Sequence, residues 1–352
     1  MERFSELSRR GFVRAAALSG AGAAALSLPG TRAVASPLAG PATATTTSTP
    51  TSTTTTTSTT TATLAFTAGT NASVTASPAG DRLIIEVQGV LWSLPPEGGT
   101  ATALSAPGLE PTRPAWSPDG SSIAVCAYQG GGFHLWTMAP DGSRLRQLTS
   151  GPWDDRGVAW APDGRRVAFS SERGGDDATG GSYNIWTLDT RSGELTRLTG
   201  DPGVEDYDPT WHPDGDRVLF VRAGSAGGGG RTLASVPAGG GAVTVERTVD
   251  TGTLVGPAVS SDGRVACVLV ASATGPATPP AVTLLVDGEP VTHGEDVSPQ
   301  PPSWTSDGTL FYVADGRVRV RRPGREPAGT AAREIRFSAS LDVPRPRYRR
   351  KT

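Results

Sequence analysis

Three observations predict an all-β chain folded as a β-propeller of about six four-stranded blades. A turn motif recurs six times, 45 Gly and 30 Pro punctuate short runs rich in Val, Leu, Thr and Trp, and no amphipathic helical stretch follows the first 35 residues.

The motif is clearest in Ala115-Trp116-Ser117-Pro118-Asp119-Gly120, Ala159-Trp160-Ala161-Pro162-Asp163-Gly164 and Thr210-Trp211-His212-Pro213-Asp214-Gly215. Weaker copies are Ala258-Val259-Ser260-Ser261-Asp262-Gly263, Ser303-Trp304-Thr305-Ser306-Asp307-Gly308 and Ser77-Pro78-Ala79-Gly80. The turn glycines are spaced by 40, 44, 51, 48 and 45 residues, room for four short strands each. In the cleanest unit, strand a ends at Trp116, strand b runs Ile123 to Tyr128, strand c Phe133 to Met138 and strand d Leu145 to Thr149, with hairpin turns at Pro118-Asp119-Gly120 and Asp141-Gly142. One such unit cannot cover both of its faces, so the units are expected to pack radially about an axis.

Seven of the eight tryptophans fall in two registers: Trp116, Trp160, Trp211 and Trp304 before the turn, and Trp92, Trp136 and Trp186 in strand c. A large aromatic recurring at one place in every unit predicts blade-to-blade packing. Cys126 and Cys267 lie in non-adjacent units, too far apart for a disulfide, and read as buried small hydrophobes.

Residues 1–35 precede this body. Ser8-Arg9-Arg10-Gly11-Phe12-Val13-Arg14 stands before a weakly apolar run and Ala33-Val34-Ala35, a pattern that resembles a twin-arginine signal peptide. The resemblance implies export, leaving a periplasmic or extracellular product. Residues 36–63, almost only Thr, Ser, Ala and Pro toward the end, are expected to form a disordered linker. Residues 64–343 form the propeller and 344–352 a basic tail. The formal charge is −2; cutting after Ala35 removes five arginines and two glutamates and leaves −5, a sign that gives no footprint for nucleic acid or anionic lipid. No later run of eighteen apolar residues predicts a transmembrane segment in the mature chain.

The Trp-x-Pro-Asp-Gly turn, the Ile-Trp or Leu-Trp strand and the closing Leu-Thr resemble the repeat of TolB-like β-propellers over nearly all of Leu64 to Val343. The stretch Leu148 to Arg156 and the ending Arg336-Phe337-Ser338-Ala339-Ser340 resemble a narrower group, in which such a propeller precedes an amidohydrolase domain. In that group the chain continues into a metal-dependent hydrolase; this one stops at Thr352. The ends of a ring must meet, so Thr63 to Thr67 is expected to complete the last blade alongside Glu334 to Leu341.

No catalytic constellation is read from the sequence, and no cofactor or metal is expected. His134, His212 and His293 lie in three different units without metal-ligand spacing, and Ala223-Gly224-Ser225-Ala226-Gly227 lacks the first glycine of a nucleophile elbow. The turn aspartates Asp119, Asp163, Asp214, Asp262 and Asp307 follow Pro or Ser and precede Gly, which is turn chemistry.

The connections from strand d to the next strand a gather at one channel mouth. They carry Glu110, then Trp153, Asp154, Asp155 and Arg156, then Glu205, Asp206 and Asp208, then Glu295 and Asp296. Such loops are either an ordinary solvated face or an acidic mouth for a cationic peptide, a divalent cation or polyhydroxylated cell-wall material. Trp153, outside both tryptophan registers, either anchors a partner or pins its own loop. The strand b to c loops on the same side, Arg173 to Ser182, Ala223 to Arg231 and Ala271 to Pro280, read as flexible decoration. The expected function is an exported, non-catalytic scaffold that binds a protein or envelope partner. The alternative is the truncated or split propeller part of an amidohydrolase whose catalytic domain is encoded elsewhere.

Overall fold

The computed structural model describes residues 61–344 apart from Asn71, Gly130 and the stretches 176–180, 225–230, 273–279 and 328–329. The export signal, residues 36–60 of the linker, the basic tail from 345 and the tips of the three strand b to c loops lie outside the described residues.

Six four-stranded sheets follow one another along Thr63–Asp342, each an antiparallel meander from an inner strand a to an outer strand d. Blade 1 is Ser73–Ala76, Leu83–Val87, Val90–Leu94 and Thr102–Ala103, and blade 2 is Pro111–Trp116, Ile123–Gln129, Gly132–Met138 and Arg146–Gln147. Blade 3 is Asp155–Trp160, Arg166–Ser171, Asn184–Asp189 and Leu195–Arg197, and blade 4 is Val204–Trp211, Arg217–Gly224, Thr232–Pro237 and Thr244–Arg247. Blade 5 is Thr253–Val259, Val265–Val270, Val282–Val286 and Glu289–Pro290, and blade 6 is Ser303–Trp304, Leu310–Ala314, Arg317–Arg321 and Arg333–Ile335. Strand b carries a run of buried residues in every blade, because both of its faces meet neighbouring blades; outer strands are short and, in blades 1 to 5, exposed, which limits edge pairing.

The recurrent turn holds itself together and touches its neighbour. Ser117 donates its hydroxyl to Asp119 at 2.6 Å, the Ser121 N–H donates to the same carboxylate at 3.0 Å, and Gly120 takes φ 69°, a left-handed conformation that glycine adopts without strain. The Ser117 hydroxyl and then the Ser121 N–H hold the Asp119 carboxyl below its ordinary range. The turn proline of one blade lies against the turn glycine of the next, Pro118 against Gly164 and Pro162 against Gly215.

Pre-turn tryptophans bridge blades as the sequence predicts. The Trp160 indole N–H donates to Ala115 O of the previous blade at 3.2 Å, and that of Trp304 to Ala258 O at 3.3 Å. Arg166 and Arg264, each from the preceding blade, stack over Trp211 and Trp304 at 4.9 and 4.8 Å. Cys126 and Cys267 are both buried, and burial pushes the Cys267 thiol up to about 11.

Closure meets the expectation in that Thr61–Phe66 lies beside Phe337–Pro344, and differs in that neither belongs to the last blade. Arg333–Ile335 already fills the outer place of blade 6, pairing through Val318↔Ile335, so no N-terminal strand joins that blade. Instead Thr61–Phe66 and Phe337–Pro344 form a separate three-stranded sheet with Gly99–Thr100, which pairs parallel to Phe337 and Ser338. The ring closes through side chains of blades 6 and 1: Val74, Ile85, Trp92, Phe311, Val313 and Val318 share one buried cluster. The Ala76 N–H donates to Ser303 Oγ at 2.9 Å, and the Ser306 hydroxyl to Pro78 O at 3.1 Å.

Inner strands carry one further regularity. In blades 2 to 5 the pairing register slips at the same place, three residues before the pre-turn position, and Arg113, Gly157, Asp208 and Gly256 there take φ of 51°, 65°, 51° and 56°. Such bulges bend strand a and turn these residues away from the regular ladder. A Cβ on Gly256 would lie 2.8 Å from Pro301 N, so glycine is required there.

Candidate partner-binding face

Antiparallel meandering puts the start of strand a, the end of strand b and the start of strand c on one face, opposite the Trp-x-Pro-Asp-Gly turns. Trp153, Asp154, Asp155 and Arg156 stand at the start of strand a of blade 3 and Glu205 and Asp206 at that of blade 4. Most of the carboxylates here are engaged by arginine, serine or tyrosine side chains.

Asp155 and Asp206 stand five residues before the pre-turn tryptophan in blades 3 and 4, and both are fully buried. Asp155 accepts from the Ser171 hydroxyl at 2.6 Å and from Arg173 Nη2 and Nε at 2.6 and 3.2 Å. Asp206 accepts from Arg222 Nε and Nη2 at 2.8 and 2.9 Å, and this bonding raises the arginine's pKa. Neither reaches solvent: both sit in internal ion pairs that fix where strand a begins.

Glu295 is also engaged. It accepts from Arg321 Nη2 at 2.8 Å and from the Tyr312 hydroxyl at 2.6 Å, and burial, reinforced by Glu295, raises the pKa of that hydroxyl. Asp296 is exposed, its backbone N–H held by Asp315 at 3.1 Å. Glu110 is exposed after a short 3-10 turn, Pro107–Leu109.

At the bulges, Asp208 is ion-paired with Arg113, whose Nε donates to Gln300 Oε1 at 2.8 Å, and the Gly256 N–H donates to Asp208 Oδ2 at 3.3 Å. Burial raises the Asp208 carboxyl, but the Arg113 guanidinium outweighs it and holds the group below its ordinary range. The two bulge residues that adopt a left-handed conformation without being glycine are therefore the two that pair with each other, joining blades 2 and 4.

Around blade 3 the face is aromatic and guanidinium-rich. Arg156 lies 3.9 Å over the Phe133 ring and 3.6 Å from Asp154, and Asp154 accepts from the Phe133 N–H at 3.0 Å. Phe133 packs on Tyr128 at 5.1 Å, and Tyr183 on Tyr207 at the same distance. The Tyr207 hydroxyl donates to Glu205, and Arg231 lies 5.2 Å over the Tyr207 ring. Burial raises the pKa of Tyr183 and Tyr207, Glu205 adding to the second. Trp153 is half-buried: its ring lies against Gly151, where a Cβ would come within 2.9 Å, and Arg173 lies 5.3 Å from the ring centroid. It thus pins its own loop while keeping one edge at the surface.

The histidines stay apart. His134 is buried 3.8 Å from Asp155, and His293 is exposed. Among the described residues, His212, Asp214 and Asp216 form the one group with potential metal-ligand atoms close together, within 4.8 Å. It sits on an exposed turn where Asp214 accepts from the Asp216 N–H at 3.1 Å, as Asp163 does from Arg165 at 2.8 Å, and Arg217 lies 3.6 Å from Asp216. Turn chemistry accounts for that geometry.

The arginines that neutralise this face were missed from sequence because each belongs to another strand. The Asp206↔Arg222 pair was within reach, since the Trp-x-Pro-Asp-Gly hairpin sets the two directly opposite each other.

No protein-family model matches the chain, and no curated protein matches its sequence. Solved structures do. TolB from Acinetobacter baumannii is similar at TM-score 0.53 and 18% identity, over 76% of this chain and 65% of that one. The fold is a TolB-like β-propeller. A nidogen/laminin complex is similar at TM-score 0.53 and 12% identity over 74% of this chain and 97% of that one. A puromycin-hydrolysing peptidase of Mycobacterium tuberculosis is similar at TM-score 0.52 and 13% identity, over 76% and 45%. The chain thus spans less than two thirds of the TolB and peptidase chains. A propeller shared with both a peptidase and TolB does not decide catalysis. Among the described residues, no helix is long and apolar enough to cross a membrane.

Proposed function

We propose that this chain is an exported, non-catalytic propeller scaffold that holds a protein partner of the cell envelope on its loop face. The observation that carries the reading is the gathering there of half-buried Phe133, Trp153, Arg156, Tyr207 and Arg231, the side-chain types that dominate binding hot spots, beside carboxylates already neutralised by arginine. Asp154 holds the Phe133 backbone and Arg156, Glu205 holds the Tyr207 hydroxyl, Asp208 ties blade 4 to Arg113 of blade 2, and Asp155 and Asp206 fix the strands that present these groups. Likeness to TolB supports a scaffold, and Arg9-Arg10 with the small residues to Ala35 supports export.

Trp153→Ala in the mature protein is expected to weaken capture of its envelope partner at least ten-fold while the thermal midpoint moves by only a few degrees. Unchanged capture would remove the loop face from the account, and a collapse of the midpoint would make Trp153 scaffold. Co-purification of a separately encoded hydrolase would favour the reading of a split amidohydrolase.

A further inference from the structure

We propose that the loop face recognises an acidic side chain of its partner, and that Arg197 of blade 3 is the residue that receives it. Beside the third blade lies a pocket of about 150 Å³, lined by Arg173, Ser182, Asn184, Arg197, Gly200 and Asp201 among others. Two of its three charged groups are spent. Arg173 is closed by Asp155, and Asp201 is held by Arg222 at 2.5 Å. Asn184 is 4% exposed, with its amide donating to Ser182 O at 2.8 Å. Arg197 is different: its Nε donates to Thr199 O at 2.7 Å, and among the described residues no carboxylate pairs with it.

The repeat supplies its own control. Arg197 pairs across the sheet with Trp186, and at the matching place in blade 2 Gln147 pairs with Trp136. Gln147 Nε2 donates to Thr149 O at 2.8 Å, the same brace that Arg197 makes to Thr199. A neutral amide therefore suffices for the brace, and among the described residues the positive charge of Arg197 has no structural task. Gly200 makes room for it, since a Cβ there would stand 3.1 Å from the guanidinium carbon. A fixed Nε leaves the remaining guanidinium N–H groups to meet a carboxylate, the acceptor whose geometry they match.

The pocket's size and lining choose the source of that carboxylate. It is sized for a single side chain, and none of its lining residues is aromatic, so a sugar ring would find no face to stack on. The carboxylates beside this pocket, Asp155, Asp201 and Asp206, are internally paired, which leaves the guanidinium as the local complement for a charged partner. This inference rests on the loop face being the binding face.

The test uses the mature protein and Arg197→Gln, which keeps the brace and removes the charge. A fluorescent hexaglutamate peptide is titrated into both, with hexalysine and a uronic-acid oligosaccharide as comparators. The proposal expects hexaglutamate to bind the wild-type protein, at least ten-fold more weakly to the variant and more weakly as salt rises, with unchanged thermal midpoints. Equal binding by the two proteins, no binding of hexaglutamate, or binding of hexalysine or the oligosaccharide alone would overturn it. Loss of capture in Trp153→Ala alongside equal peptide binding in Arg197→Gln would keep the loop face and discard the acidic partner.

Discussion

Asp155→Ala is expected to cost the propeller about 3–5 kcal/mol, the largest loss of any single carboxylate on the loop face. The carboxylate is fully buried and is the acceptor for Ser171 and for two nitrogens of Arg173, whose own side chain is 9% exposed. Alanine leaves that guanidinium buried beside the half-buried Trp153 with no counter-charge, and the desolvation cost is then uncompensated. Asp206→Ala should lose less, because Arg222 is 16% exposed and already reaches the exposed Asp201. Urea unfolding of both variants checks the order; equal, small losses would mean that the ion pairs are surface ornaments.

Trp92→Ala is expected to cost about 3–5 kcal/mol, at the seam where the last blade meets the first. Trp92 is 1% exposed within the cluster that joins Val74 and Ile85 to Phe311 and Val313, and its indole N–H donates to Val87 O at 3.3 Å. Removing it opens a cavity in the side-chain interface between two blades that are each built from one continuous segment, and the short pairing of Phe337 and Ser338 with Gly99 and Thr100 does not fill it. A loss below about 1 kcal/mol would show that closure does not depend on this packing.

The architecture was legible because the repeat writes it six times. Turn glycines fix the start of strand b, paired tryptophan registers mark the faces between blades, and the predicted strands of blade 2 differ from those found by one or two residues, apart from the shorter outer strand. Closure was not legible, since Glu334 reads equally as an outer strand or as the start of a closing one; pairing Arg333–Ile335 within blade 6 decides it.

The partners of the loop carboxylates were not legible. Loop carboxylates could be assigned to one face by counting strands, yet their partners come from strand b or c, and for Asp208 from Arg113 two blades away. The inner-strand bulges that bring Arg113 and Asp208 together leave no mark in hydrophobic periodicity, because they add one residue to a strand of otherwise ordinary composition.

Ring closure without a shared blade underlies every assignment to a common face, and one crosslink tests it. Thr75 Oγ1 of blade 1 lies 3.5 Å from Ser303 Oγ of blade 6, across 228 residues of chain. In the double variant Thr75→Cys and Ser303→Cys, mild oxidation is expected to form the disulfide nearly completely, giving a faster band on a non-reducing denaturing gel that reductant reverses. Persistence of both introduced thiols, Thr75→Cys and Ser303→Cys, in the folded protein would mean that the first and last blades do not meet.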